Sequence, residues 1–126
     1  MDGKIIRLSE PVTAYERTFH EITLREPTGA LFMRLGQPRV PVTNFNAGSG
    51  YLVEREDTIV EYLKALIAVD DKDADHLPLA EGLLRKLSLT DSMRLREALF
   101  SFFDAAALKA AALRNAEKPQ DSSPSA

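Results

Sequence analysis

Three alternating carboxylates, Asp71, Asp73 and Asp75, are the residues whose spacing comes nearest to a chemical site. They occupy the first, third and fifth positions of a helix-flanked calcium loop, where side-chain oxygens would ligate a hard cation. The later positions do not continue the pattern. His76 stands where the sharp turn demands Gly, Gly82 stands where a bidentate Glu belongs, and Glu81 falls one residue early. The stretch reads instead as a solvated acidic loop that favours the N-terminus of the next helix. No cofactor or metal is expected.

Gly48-Ser49-Gly50 has the small residues of a phosphate loop or a nucleophile turn. A phosphate loop needs Lys and a helix directly after the glycines, and no Lys follows here. A serine nucleophile needs a base, and the chain offers only His20 and His76. His20 falls in a strand pattern and reads as a cross-strand packing residue, and His76 as a loop or helix-start residue. No set of nucleophile, base and orienting group assembles, so no enzymatic activity is expected.

Two further clusters point to binding. Arg85 and Lys86, a short Ser88-Leu89-Thr90 turn, and Arg94 and Arg96 form an outline of a helix-turn-helix. Asp91 and Glu97 offset two of those four positive charges, and two core helices with solvated basic edges are the favoured reading of the segment. Phe100, Phe102 and Phe103 lie within four residues beside an Ala-rich run, Ala105 to Ala112. Three rings so close cover more than one side of a helix. They either all join the core or leave a surface for a partner, and Phe100, Phe103 and Ala107 are the candidates for that surface.

The elements that must position these residues follow from the period of the apolar positions. Lys4–Leu8 and Arg17–Leu24 read as two strands of a hairpin, the first stopped by Ser9-Glu10-Pro11. On the second, Thr18, His20, Ile22 and Leu24 share one face. Thr28 is placed to cap a short helix carrying Leu31 and Leu35, and Gly36 to end it. Residues 37–53, with Pro38 and Pro41, read as a long loop. Helices are expected over about Glu54–Val69, from Pro78 onward, and from a Thr90 cap to about Asn115. Leu95, Leu99, Phe102, Ala106 and Leu113 line one face of the last. The expected fold is α+β. One domain spans residues 1–115, with a hairpin over 4–24 and about four helices over 28–115, and 116–126 form a polar, disordered tail.

Composition sets the outer limits. At 126 residues the chain suits one domain with one core. Its net charge of −3 does not favour nucleic acid or an anionic membrane as partner. Without Cys it has no disulfide scaffold, no thiolate nucleophile and no sulfur-ligated zinc. Neither a signal peptide nor a spanning segment is legible, so a cytoplasmic location is expected.

Three strings in this order carry a family resemblance: Ile6-Arg7-Leu8-Ser9-Glu10-Pro11-Val12, then Ile22-Thr23-Leu24-Arg25-Glu26-Pro27-Thr28-Gly29, then Leu99-Phe100-Ser101-Phe102-Phe103. Over about residues 4 to 103 the chain resembles the tail assembly chaperones of Mu-like and P2-like contractile-tail phages and prophages. Leu24, Arg25, Glu26, Pro27 and Thr28 are the most specific part. The chain has Ala30, Leu31 and Phe32 where such proteins often place an acidic residue. Its 37–53 loop and Ala-rich extension are also longer. The resemblance implies a non-enzymatic protein of the host cytoplasm, not retained in the virion. It would bind the tape measure protein, keep it soluble and assist tail tube assembly, with other tail proteins or a second copy as further partners. Related genes often make a longer product by frameshifting. A small helix-turn-helix DNA-binding regulator is the alternative.

Overall fold

The computed structural model describes residues 3–14, 16–44, 48–68 and 76–117. Strand β1 (Gly3–Ala14) pairs antiparallel with β2 (Arg17–Arg25), setting Ile6 opposite Ile22 and Val12 opposite Phe19. β1 is not stopped at Ser9. Instead the register slips, and residues 8 to 11 of β1 stand against His20 alone. Pro11, which has no N–H for a ladder, falls within this slipped stretch. The slip also breaks the alternation of β2: Phe19, Ile22 and Leu24 are buried, while His20 and Glu21 are both exposed. His20 is therefore a surface residue and not a packing one.

Helix α1 (Gly29–Leu35) begins as the sequence predicts. The Thr28 side chain accepts the Leu31 N–H at 3.2 Å, and Gly36, at φ 83°, closes the helix in a conformation that suits Gly. The expected loop over 37–53 is a second hairpin, β3 (Arg39–Asn44) paired with β4 (Ser49–Glu54). Gly48-Ser49-Gly50 leads into a strand here, which no phosphate loop does.

Helix α2 (Glu56–Leu66) is shorter than its apolar period suggests. Ile67 leaves the helix with extended backbone, and with Ala68 it forms β5, which pairs with β2 at Leu24 and Thr23. A β-branched residue gains more as a buried strand residue beside Leu24 than as a helix end. β2 thereby becomes the centre of a three-stranded sheet ordered β1–β2–β5. Helix α3 (His76–Lys86) starts two residues before Pro78, and α4 (Leu89–Ala116) follows a turn of two residues. The cap of α4 is Ser88 and not Thr90: its hydroxyl accepts the Asp91 N–H at 3.1 Å. The acidic residues Asp71, Asp73 and Asp75, and the tail from residue 118, lie outside the described residues.

The core sits between one face of this sheet and α2, α3 and α4. Ile22 and Leu24 of the sheet are buried with Ile59 and Tyr62 of α2, Leu83 of α3, and Leu95 and Leu99 of α4. Each such aliphatic side chain contributes about 1.5–3 kcal/mol when withdrawn from water. Among the described residues the architecture is α+β, an N-terminal hairpin followed by four helices, with the β3–β4 hairpin between α1 and α2 in chain order.

The outer edge of β1 is covered by the start of α4. Asp91 takes the Ser9 N–H, and Arg94 donates to the Arg7 carbonyl at 2.6 Å. An open edge is a template for foreign strands, and these bonds occupy it at Arg7 and Ser9.

Candidate functional site

Leu95 and Leu99 anchor the first half of α4 in the core, while Asp104 to Ala116 run almost wholly exposed. Between these halves stand the three Phe rings, and each meets a different neighbour. Phe102 lies beside Lys4 of β1, whose ammonium is 5.1 Å from the ring centre. Phe100 lies under Arg39 of β3, with the guanidinium 4.3 Å from the ring centre. Phe103 packs edge-on to Tyr62 of α2 at 5.2 Å and tilted against Phe32 of α1 at 6.0 Å. All three are half-buried. The ring cluster is fixed in turn by the Tyr62 hydroxyl, which donates to the Gly36 carbonyl at 2.6 Å and so ties α2 to the end of α1.

Beyond Phe103 a groove of about 680 Å³ opens between α4, the start of α1 and the β3–β4 hairpin. Ala106, Ala107 and Ala110 form the α4 wall, one helical face of short side chains continuous with Phe103. Glu26, Pro27, Thr28 and Phe32 form the opposite end, and Pro41 and Leu52, directly paired across the hairpin, form the roof. At the rim Arg39 makes an ion pair with Asp104. At the hairpin's base Arg96 of α4 bridges Glu54, at 2.7 Å, and Glu56. Arg39–Asp104 and Arg96–Glu54 join the hairpin to α4 beside the groove.

Several expected site residues meet here. Glu26, Pro27 and Thr28 line the groove together with Phe103 and Ala107, although they come from opposite ends of the sequence. Phe100 does not line it, because its ring is covered by Arg39. Leu24 is fully buried in the core and Arg25 is exposed. Ala106 and Leu113, read as core positions, are exposed because the core ends at Phe103. The sequence reasoning missed Phe32, Pro41 and Leu52. The alternation of Val40 and Val42 against Tyr51 and Val53 was the available signal for the last two, masked by the prolines.

The groove's lining is mostly apolar, and Glu26, Arg39 and Asp104 are its charged members. Among the described residues no group of three or more His, Asp or Glu side chains is placed to hold a metal ion. Among the described residues, the two titratable groups that depart from their ordinary behaviour both lie outside the groove lining. Burial pushes the Tyr62 phenol up. Burial also works to raise Asp91, but hydrogen bonds from the Ser9 backbone and hydroxyl, Arg94 and Ser88 outweigh it and hold its carboxyl below the usual range. Of the basic residues in the helix-turn-helix outline, Arg94 pairs with Asp91 and Arg96 with Glu54 and Glu56, while Arg85 and Lys86 are exposed. No described helix is long and apolar enough to cross a membrane. No family model matches the chain, and no curated protein or solved structure is significantly similar to it.

Proposed function

We propose that this chain is a non-enzymatic tail assembly chaperone of a contractile-tail phage or prophage. It acts in the host cytoplasm, where it binds a helical segment of the tape measure protein and keeps it soluble while the tail tube assembles. One observation carries the reading: the Glu26-Pro27-Thr28 string and the Phe102-Phe103 pair, on which the family resemblance rests, converge on a single apolar groove. Helix-in-groove recognition uses this kind of surface, an apolar trough into which a partner lays one face at helical spacing. Alanines along one wall permit close approach of a helix backbone, and the aromatic end supplies buried area.

The test is co-expression with a tape measure protein of a contractile-tail phage, followed by co-purification and an assay of tape measure solubility. Ala107→Glu places a charge in the trough at a position exposed on α4. Capture by the wild-type chain, lost in Ala107→Glu at an unchanged melting temperature, is the expected result. Equal capture by both proteins, or no capture by either, overturns the reading.

A further inference from the structure

One backbone bond fixes the hydrogen-bonding phase of the β3–β4 hairpin. The Arg55 N–H donates to the Pro38 carbonyl at 2.8 Å, one step beyond the Arg39–Glu54 pair. Bonded and non-bonded pairs alternate along an antiparallel ladder, so Val40–Val53 and Val42–Tyr51 exchange the inward bonds. The residues between them aim their backbone groups away from the hairpin. On β3 these are Arg39, Pro41 and Thr43, and the central one has no N–H, which blunts that edge. On β4 they are Gly50, Leu52 and Glu54, whose outward groups meet no backbone partner among the described residues. The hairpin therefore has one closed edge and one open one.

Its side chains add to the asymmetry. Val40, Val42, Tyr51 and Val53 form the face turned away from the groove, and Tyr51 is 60% exposed. A two-stranded hairpin is marginal in water, and three or more strands are the usual minimum for independent stability.

We infer that β4 is a self-association strand. Two copies pair β4 to β4 antiparallel about a two-fold axis at Leu52, forming one four-stranded sheet. This register uses all three outward positions: Leu52 meets Leu52 of the second copy, and Gly50 meets Glu54 at both ends. A shift of two residues either way loses one pair. Charge favours the same register. Ser49 to Val53 carry no charged side chain, and Glu54 falls opposite Gly50, so like charges never meet. Glu54 also keeps its own counter-ion in Arg96. Tyr51 then lies across from Val53 of the second copy, an aromatic against a β-branched side chain. Because Pro41 closes the far edge, growth stops at two copies and gives a closed dimer rather than a filament. Leu52 also lines the groove, so Ala107→Glu, which changes the groove and leaves β4 untouched, separates the two surfaces.

Sedimentation velocity of the full chain over a wide concentration range is the first measurement, with a monomer–dimer equilibrium expected. Leu52→Pro removes the central outward N–H without touching the inward ladder, and should weaken association at least tenfold. Leu52→Lys retains the N–H but sets two ammonium groups together at the axis, and should do the same, which covers the case in which the Pro variant misfolds. The chain has no Cys, so a single introduced thiol reports the register. Leu52→Cys should oxidise to a covalent dimer, because the two Cα atoms of such a pair lie about 5.5 Å apart. Val53→Cys, whose counterpart is two residues away along the strand, should cross-link at least tenfold more slowly. Ala107→Glu should dimerise normally. A chain monomeric at every concentration, a dimer that survives both Leu52 variants, or equal cross-linking at 52 and 53 overturns the inference.

Discussion

The carboxylate of Asp91, at the first turn of α4, accepts the backbone N–H of Ser9 at 2.9 and 3.0 Å and the Ser9 hydroxyl at 3.1 Å. Asp91 is fully buried, so the bond set joins the edge of the sheet to the longest helix in a water-poor setting. Removing the carboxylate there leaves the Ser9 N–H, the Ser9 hydroxyl and the Arg94 guanidinium without this acceptor. Asp91→Ala should cost about 3 kcal/mol of stability in urea unfolding, and Ser9→Ala, which keeps the backbone donor, about 1 kcal/mol.

The same carboxylate gives stability a dependence on acid. Its native pKa lies below the ordinary value, so the ionised form is bound more strongly by the folded chain. That contribution is complete above about pH 4, the unfolded range, and is lost as pH falls through the lower native value. Urea unfolding repeated from pH 5 down to pH 2 should show a steep loss for the wild type. Asp91→Asn, which has no charge to lose, should start lower and fall less.

Tyr62 supplies the opposite limb. Its phenol is raised by burial, so its contribution is complete below about pH 10 and is lost as pH rises through the higher native value. Tyr62→Phe removes the bond to Gly36 and should cost about 1 kcal/mol at neutral pH. Its stability should then change less than that of the wild type in an alkaline series.

Phe103 and Phe100 should separate in their effects. Phe103 is wedged between Phe32 and Tyr62, and Phe103→Ala should cost about 2–3 kcal/mol, a little under the range for a fully buried ring. Phe100→Ala loses partial burial and its contact with Arg39, and should cost about 1 kcal/mol. Thermal melts of the two variants decide the order.

Arg96 should act on the hairpin alone. Its partners Glu54 and Glu56 are well exposed, so Arg96→Ala should cost only about 0.4–1 kcal/mol. Hydrogen exchange should show the inward amides of Val40, Val42, Tyr51 and Val53 opening about two- to fivefold faster. Amides of Ile22 and Leu24 should be unaffected.

What the sequence made legible was local. Thr28 and Gly36 bracket α1 through contacts within a turn of themselves, and their residue types alone predict those roles. The long helix and its Leu95–Leu99 anchor follow from period. The β3–β4 hairpin stayed hidden because Pro38 and Pro41 break strands in general. Only the register shows that Pro41 sits where no inward N–H is required. Ile67 matches the helical period, and nothing nearby in sequence reveals Leu24 waiting across the sheet. Asp91 resembles any acidic residue in a first helical turn, and its true partner lies at the other end of the chain. The groove mixes both kinds of residue: its α4 wall was readable, its hairpin roof was not.

The cap on the β1 edge also sets a timetable for synthesis. Ser9 and Asp91 are separated by 82 residues, while β1 finds β2 within a few residues of its own end. β2 is complete only at Arg25, so at about 5–20 residues per second the hairpin can form and then wait about 3–13 s before Asp91 has been made. Throughout that interval the nascent chain presents the open β1 edge to whatever surrounds the ribosome. Crowded polysomes translating this message would bring several such edges together, so the yield of folded protein should respond to translation speed between Ser9 and Asp91 more than to speed anywhere after it.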